Sequence, residues 1–204
     1  MKLEEFNLIV AGVGGQGNIR AAKYLADVAI RCGKDVIVGE TFGASQRGGS
    51  VRSHIRIGKN ARSPQVPQKK CNVILGFEPL ESLQCCLDYL EPNGVAIVNV
   101  QPVYSTEVKT GKKPYPSLDT LQDYFARITN RVLYLNATAA AEELGNTMVM
   151  NTIMLGALDA TGVFPAPRGL LKEIVVAGSP KAFRELNEKA FDKGVELGQA
   201  RLFS

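Results

Sequence analysis

The chain has 204 residues, of which 45% are hydrophobic, 22% charged and 7% aromatic, with a formal net charge of +4 and no tryptophan. That composition excludes a disordered chain and suits one globular domain spanning 1–204 with a sizeable core. Its longest apolar runs are about seven or eight residues against the roughly 20 of a membrane-spanning helix, and the opening MKLEE is acidic where a secretory leader is basic, so a cytoplasmic protein with no membrane contact is expected.

In chain order, residues 6–11 (FNLIVA) read as a buried strand and residues 18–32 as a helix with Ile19, Ala22, Leu25, Ala26 and Ala29 on one face, closed by Gly33. Residues 35–40 then complete a β-α-β unit, whose two strands should run parallel. Between the first strand and the helix lies GVGGQG, with Gly12, Gly14 and Gly17 in the G-x-G-x-x-G pattern. Glycines at this junction allow a tight turn, bring backbone N–H groups close to a ligand and aim a helix N-terminus at an anion such as a pyrophosphate. Glu40, at the end of the second strand, stands where a dinucleotide fold places the acid that binds a ribose. The same glycines would also serve close strand–helix packing, and both readings stand at this point. Gln16, a polar amide at the tip of the turn, tips the balance toward a ligand, with Gly15 beside it.

The stretch FGASQRGGSVRSHIRIGK, 42–59, follows. Ten residues separate Glu40 from Val51, too few for a parallel crossover of a dozen or more, so a strand over 51–57 should run antiparallel to a neighbour. Alternation then puts Val51, Ser53, Ile55 and Ile57 on one side and a basic stripe of Arg52, His54 and Arg56 on the other. Ser45, Gln46, Arg47, Gly48, Gly49 and Ser50 form a glycine-hinged loop in which Arg47 can attract an anion near the first turn. His54, with no second histidine in the chain, reads as a polar strand residue rather than an acid or base.

Further strands are expected at 72–77, 94–100 and 131–135, with a helix at 79–90 in which Glu78 and Glu81 favour the positive helix end. Residues 101–118, with their prolines, read as a long loop or small hairpin. Helices are expected at 137–144, 147–161, 169–176 and 180–202, the last begun by a capping Ser179 before Pro180. Glu142 and Glu143 read as solvated, and Asn151, in an apolar helix, needs a hydrogen-bond partner on a loop or another subunit. The order is that of an α/β fold: a Rossmann-like three-layer sandwich, its sheet mostly parallel with some antiparallel strands, and a helical C-terminal third. Cys32, Cys71, Cys85 and Cys86 lack metal-ligand spacing, and most of them read as buried thiols.

GVGGQG at 12–17, GASQRGGSVRSHIRIG at 43–58, ILGFEPLESL at 74–83, YLEPNGVAIVN at 89–99, NTIMLGAL at 151–158 and ELNEKAFDKG at 185–194 together resemble the gamma-type subunit of 2-oxoacid:ferredoxin oxidoreductases. Within that family they are most similar to the small, beta subunit of indolepyruvate:ferredoxin oxidoreductase, over nearly the whole chain. Asn72 departs from the pattern where Asp is expected, as does Ala-Ser in FGASQRGG. The resemblance implies an assembly that oxidatively decarboxylates aryl-2-oxoacids to acyl-coenzyme A and passes electrons to ferredoxin. The chain has no Gly-Asp-Gly segment for thiamine diphosphate and Mg²⁺ and no cluster cysteines. Thiamine diphosphate, magnesium and the iron–sulfur clusters therefore belong on a large partner subunit, and no catalytic residue or metal ligand is assigned here. The expected role is to help hold coenzyme A through Gly12, Gly14, Gly15, Gln16, Gly17 and the loop Ser45, Gln46, Arg47, Gly48, Gly49, Ser50. A free-standing NAD(P)- or flavin-binding oxidoreductase and an anionic-metabolite binding module are the alternatives; nucleic acid is not an expected partner. The apolar C-terminal third would let an isolated chain form homodimers.

Overall fold

The computed structural model describes residues 5–43, 49–59 and 61–200. Six strands, β1 (Phe6–Val13), β2 (Val36–Phe42), β3 (Ser50–Ile57), β4 (Cys71–Gly76), β5 (Leu90–Asn99) and β6 (Val132–Leu135), form one sheet in the order β2-β3-β1-β4-β5-β6. The β1–β4, β4–β5 and β5–β6 pairs are parallel, whereas β3 runs antiparallel to both β1 and β2. The short return into β3 is the reason, as expected: it permits only a reversal of direction. One consequence was not legible in the sequence. β3 lies between β1 and β2, so the two strands of the first β-α-β unit point the same way but are not neighbours.

Side-chain alternation divides the interior into two layers. Leu8, Val10, Ile55, Val73, Leu75, Ile97 and Leu133 pack against helices α1 (Asn18–Arg31), α5 (Ala137–Glu143), α6 (Met150–Thr161), α7 (Leu170–Gly178) and α8 (Arg184–Gln199). Ile9, Ala11, Ile74, Ala96 and Val98 pack against α2 (Pro79–Tyr89) and α4 (Leu118–Ala126). Coverage of both faces is why all of β1 is buried and reads as a continuous apolar run.

Several boundaries differ from the sequence reading for local reasons. Residues 101–118 contain a short helix, α3 (Thr106–Lys109), and α4 follows; α4 was not expected, although Ser117 caps it by accepting from the Thr120 amide and Leu121 and Phe125 give it a buried face. Ser179 does not start the last helix: its hydroxyl donates back to the Val175 carbonyl within α7, and a 3-10 turn (Lys181–Phe183) leads into α8. Ile19 is half exposed rather than on the packed face of α1. Asn72 accepts from the Asn7 amide at 2.7 Å and donates to Glu91 at 2.7 Å, a bond that an aspartate there would replace with a second carboxylate facing Glu91.

The NTIMLGAL and ELNEKAFDKG segments meet as α6 and α8. A Cβ on Gly156 would fall 2.1 Å from the Phe191 carbonyl oxygen, and one on Gly194 would fall 2.0 Å from that of Ile153, so the helix backbones touch where these glycines oppose each other. α6 is buried from Met150 through Leu158 and forms the floor beneath the sheet. Gly156→Val should therefore lower the unfolding free energy by about 2–4 kcal/mol, because the obstacle is backbone that cannot repack. Urea denaturation checks this, and unchanged stability would show that the helices are not in backbone contact.

Candidate functional site

The turn after β1 is held by its own side chain. Gln16 folds back so that its Oε1 accepts from the Val13 amide at 2.8 Å, while its Nε2 donates to the Phe77 carbonyl at 2.9 Å at the end of β4. The fold-back needs a glycine behind it, since a Cβ on Gly12 would lie 2.5 Å from Gln16 Oε1. The same Phe77 carbonyl accepts from Asn99 Nδ2 at 3.1 Å, and Asn99 Oδ1 accepts from the Ala137 amide at 3.0 Å at the start of α5. A row of amides thus ties the carboxyl ends of β1, β4 and β5 to the head of α5. The sequence reading gave the Gln16 amide to a ligand; in the structure each end of it makes one hydrogen bond within this row, and the residue also lines the cleft described below.

The glycines divide by what surrounds them. Gly17 adopts φ 85°, and a Cβ there would sit 2.2 Å from Asn151 Nδ2, so it makes room for α6. Gly15, at φ 98°, has nothing within 4 Å of such a carbon, and Gly14 has only the Gly49 carbonyl at 4.0 Å. Gly14 and Gly15 are therefore the pair that faces open space. Gly14 donates to the Gly49 carbonyl at 3.0 Å, and Gly43 donates to that of Ser50 at 2.8 Å. Both residues that bracket 44–48 thus stand beside the first turn. Ser45, Gln46, Arg47 and Gly48 lie outside the described residues.

These elements border a cleft of about 1280 Å³, at the edge where the parallel strands end. Gly14, Gly15, Gln16, Gly17, Gly49 and Ser50 line it; Gly12 is buried behind the turn and does not. The volume exceeds the ~300–1,000 Å³ of a typical small-molecule pocket and suits a long ligand. Arg20 and Lys23, both exposed on the first turns of α1, supply positive charge on the wall, and α1 begins here without a side-chain cap. The rim is apolar: Phe42 is 66% exposed and Met148 74%, with Ile19, Val103 and Phe183 also exposed.

Sequence reasoning missed Arg20, Lys23, Thr138, Asn146 and Asn187, which line the same cleft. For the two cations a signal was available, because positions within two turns of the glycine junction share its edge of the sheet. Asn146, Thr138 and Asn187 arrive from distant helices and left none.

The basic stripe is a correction. Arg52, His54 and Arg56 do not line the cleft; they point into the opposite layer, under residues 61–69. Arg56 is 7% exposed and pairs with Glu5, while also donating to Asn7 Oδ1 at 3.2 Å and the Ser63 carbonyl at 2.9 Å. Arg52 bonds Asp88 at 2.9 Å and lies over the Tyr89 ring. His54 is fully buried, packs edge-on against Tyr89 and accepts from the Val66 amide through Nδ1 at 3.3 Å. Burial, reinforced by the Arg52 guanidinium, pushes its pKa down to about 4. Arg56 and His54 hold the sheet to its covering segment and Arg52 holds it to Asp88 of α2, with Arg52 Nε and His54 Nε2 buried, without a partner among the described residues, away from the cleft.

Glu40 is a second correction. It is exposed on edge strand β2 and is absent from the cleft wall, because β3 separates its strand from β1. The ribose-binding geometry of a dinucleotide fold is not formed. Glu78 is 2% exposed and caps α2, accepting from the Glu81 amide at 2.8 Å, the Tyr115 hydroxyl and the Val103 amide; burial raises its pKa. It therefore positions the cleft-lining residues Pro102 and Val103 from behind. Cys71, Cys85 and Cys86 are buried thiols, with Cys85 pushed up to about 12 by burial. Among the described residues no group of three or more His, Cys, Asp or Glu is placed to hold a metal ion, and no helix is long and apolar enough to cross a membrane.

Residues 7–197 match the family described as pyruvate ferredoxin/flavodoxin oxidoreductase. The indolepyruvate oxidoreductase subunit IorB of Pyrococcus horikoshii is 36% identical over 98% of this chain and 99% of its own. The gamma subunit of a keto/oxoacid ferredoxin oxidoreductase from Geobacter sulfurreducens PCA has the same fold, with a TM-score of 0.68 and 25% identity over 96% of this chain and 99% of that one. A 2-oxoglutarate:ferredoxin oxidoreductase from Magnetococcus marinus, solved with 2-oxoglutarate, coenzyme A and succinyl-CoA bound, has a TM-score of 0.71 over 100% of this chain and 32% of its own; at 20% identity this is a likeness of fold.

The burial of His54 sets a pH dependence. Its folded pKa of about 4 lies below the ordinary value of 6.5, so the unfolded chain binds the extra proton between those limits. Stability from this residue is therefore complete above pH 6.5 and is lost as pH falls toward 4, by about 1–3 kcal/mol. His54 is the chain's one histidine, so its imidazole resonance can be followed alone by NMR. It should stay neutral at pH 5.5, and a midpoint near 6.5 would contradict the buried environment.

Proposed function

The chain belongs to the pyruvate ferredoxin/flavodoxin oxidoreductase family, and we propose that it is the small subunit of an indolepyruvate-type 2-oxoacid:ferredoxin oxidoreductase, inactive until joined to a larger partner. The observation that carries this reading is the end-to-end likeness to an indolepyruvate oxidoreductase subunit, 36% identical over 98% of this chain and 99% of the relative. The assembly oxidatively decarboxylates an aryl-2-oxoacid, transfers the acyl group to coenzyme A and passes electrons to ferredoxin.

The residues of this chain do not fit thiamine diphosphate, magnesium or iron–sulfur clusters. The sequence contains no Gly-Asp-Gly, and Cys71, Cys85 and Cys86 are buried in the core. Those groups belong to the partner subunit. Coenzyme A does fit: its length suits the cleft, its phosphates suit the uncapped head of α1 with Arg20 and Lys23, and when bound it supplies the thiol that accepts the acyl group. Gly14 and Gly15 let the ligand approach backbone, Gly49 and Ser50 line the cleft beside them, and Ser45, Gln46, Arg47 and Gly48 are assigned to the same site on their sequence alone, with Arg47 as a further cation. The apolar rim of Ile19, Phe42 and Met148 excludes water where it meets the partner.

Two measurements test this. Produced alone, the chain should neither turn over NAD(H) nor oxidise indolepyruvate; purified with a large subunit carrying Gly-Asp-Gly and C-x-x-C motifs, it should reduce ferredoxin in a coenzyme A-dependent way. Activity of the isolated chain with a nicotinamide would overturn the assembly. In the complex, Gly14→Ala should raise KM for coenzyme A about tenfold with little change in melting temperature, since the new methyl meets open space rather than protein. An unchanged KM in Gly14→Ala and in Arg47→Ala would remove coenzyme A from this turn.

A further inference from the structure

We propose that Glu78 is a positioning residue for the cleft: its carboxylate latches the lobe 103–115 at both ends, through Val103 and Tyr115, and so sets where the wall of Gln101, Pro102 and Val103 stands. The inference rests on the reading that coenzyme A occupies this cleft, and it adds a residue that acts on the ligand without touching it.

Gln101, Pro102 and Val103 line the cleft from the chain just beyond β5. The sheet holds that chain as far as Val100, whose amide donates to the Leu135 carbonyl at 3.0 Å. Past this point it leaves the sheet and makes a lobe that returns at Tyr115. From Tyr104 to Pro114 no described side chain is buried, and only Val108 is partly covered. The lobe keeps its shape by local bonds: the Lys112 amide donates to the Glu107 carbonyl at 2.8 Å, Gly111 turns the chain at φ 71°, and Lys113 pairs with Glu107 at 2.7 Å. A segment that buries so little apolar surface opens readily, so its position depends on what fastens its ends.

Both ends are fastened to one atom. Glu78 Oε1 accepts from the Val103 amide at 3.4 Å, where the lobe begins, and from the Tyr115 hydroxyl, where it ends. Glu78 Oε2 is turned the other way and accepts from the Glu81 amide at 2.8 Å, capping α2. At 2% exposure the carboxylate has little water to replace a lost donor, and a buried charge deprived of a partner destabilises the arrangement that deprives it. Burial, and then the carboxylate itself, push the Tyr115 pKa up, so the hydroxyl keeps its proton and donates. Tyr104 packs edge-on against Tyr115, 5.1 Å between ring centres, and closes the neck of the lobe. The latch shares its footing with the cleft floor, because Glu78 follows Phe77, whose carbonyl accepts from Gln16 and Asn99. Floor and wall are thus set at consecutive residues. A ligand that fills the cleft lies against this wall, so a displaced wall weakens binding and leaves the chemistry of the partner subunit alone.

The test uses the purified two-subunit complex. Tyr115→Phe removes the hydroxyl, leaves the ring against Tyr104 and keeps the Glu78–Glu81 cap, so the melting temperature should change little. Without ligand, hydrogen exchange of the Val103 amide, read by mass spectrometry in a peptide spanning 101–105, should speed up about ten- to hundredfold, the scale of a bond to a charged group. KM for coenzyme A should rise about three- to tenfold, with kcat at saturating coenzyme A changed less than about twofold. Glu78→Gln should raise KM similarly, since its single oxygen serves either Glu81 or the lobe. Both substitutions break the same bond, so the double variant should be no worse than the more affected single one. Additive losses in the double variant, unchanged exchange in Tyr115→Phe, or a fall in melting temperature that lowers kcat as much as it raises KM would overturn the latch. So would faster exchange with KM unmoved while Gly14→Ala does raise it, because the ligand would then occupy the cleft without meeting this wall. If exchange speeds up and neither Tyr115→Phe nor Gly14→Ala moves KM, the latch stands and the assignment of coenzyme A to the cleft falls.

Discussion

The fold-back of Gln16 is the constraint from which the functional edge of this molecule is built. One carboxamide joins the end of β1 to the end of β4, filling the crevice where α1 and α2 leave the sheet for opposite faces. In open α/β sheets that crevice is the customary place for a ligand. Here a side chain of the protein occupies it, and the open space is displaced to one layer, between the head of α1 and the α6–α8 pair. Asn99 extends the same tie to α5, so the cleft has a rigid floor of strand ends and a wall of helix heads.

That arrangement separates two uses of glycine within one motif. Gly12 and Gly17 make room for the protein's own amides, Gln16 and Asn151, whereas Gly14 and Gly15 leave backbone facing open space. A G-x-G-x-x-G pattern is thus compatible with a site unlike the dinucleotide one. The interposed β3 removes Glu40 from the edge, and the cations come from the outer face of α1 instead. Burial puts the stripe to other work: Arg56 and His54 bind the sheet to the segment that covers it, and Arg52 binds Asp88 of α2.

An apolar rim around a polar, cationic wall is a poor surface for an isolated chain and a good one for a subunit. Ile19, Phe42, Val103, Met148 and Phe183 ring the opening and are left exposed by this chain. The family relationship supplies the reason: the chain is one part of a larger oxidoreductase, and the exposed rim is where another part is expected to complete the cleft.

The sequence by itself determined the strands and the helices packed on them, since continuous apolar runs and 3.6-residue periodicity are local properties of the chain. It also determined the antiparallel return into β3, because a short connection allows nothing else, and the family, through motifs spread over its length. It could not decide which face of β3 would be open, since alternation sorts side chains into two sets without saying which set the next layer will cover. Nor could it show that Gln16 would be spent on Phe77, or that Asn151 would reach Gly17 from a helix 134 positions further along. Those contacts exist only once the layers close, because a hydrogen bond or a missing Cβ acquires its meaning from the atoms that folding brings against it.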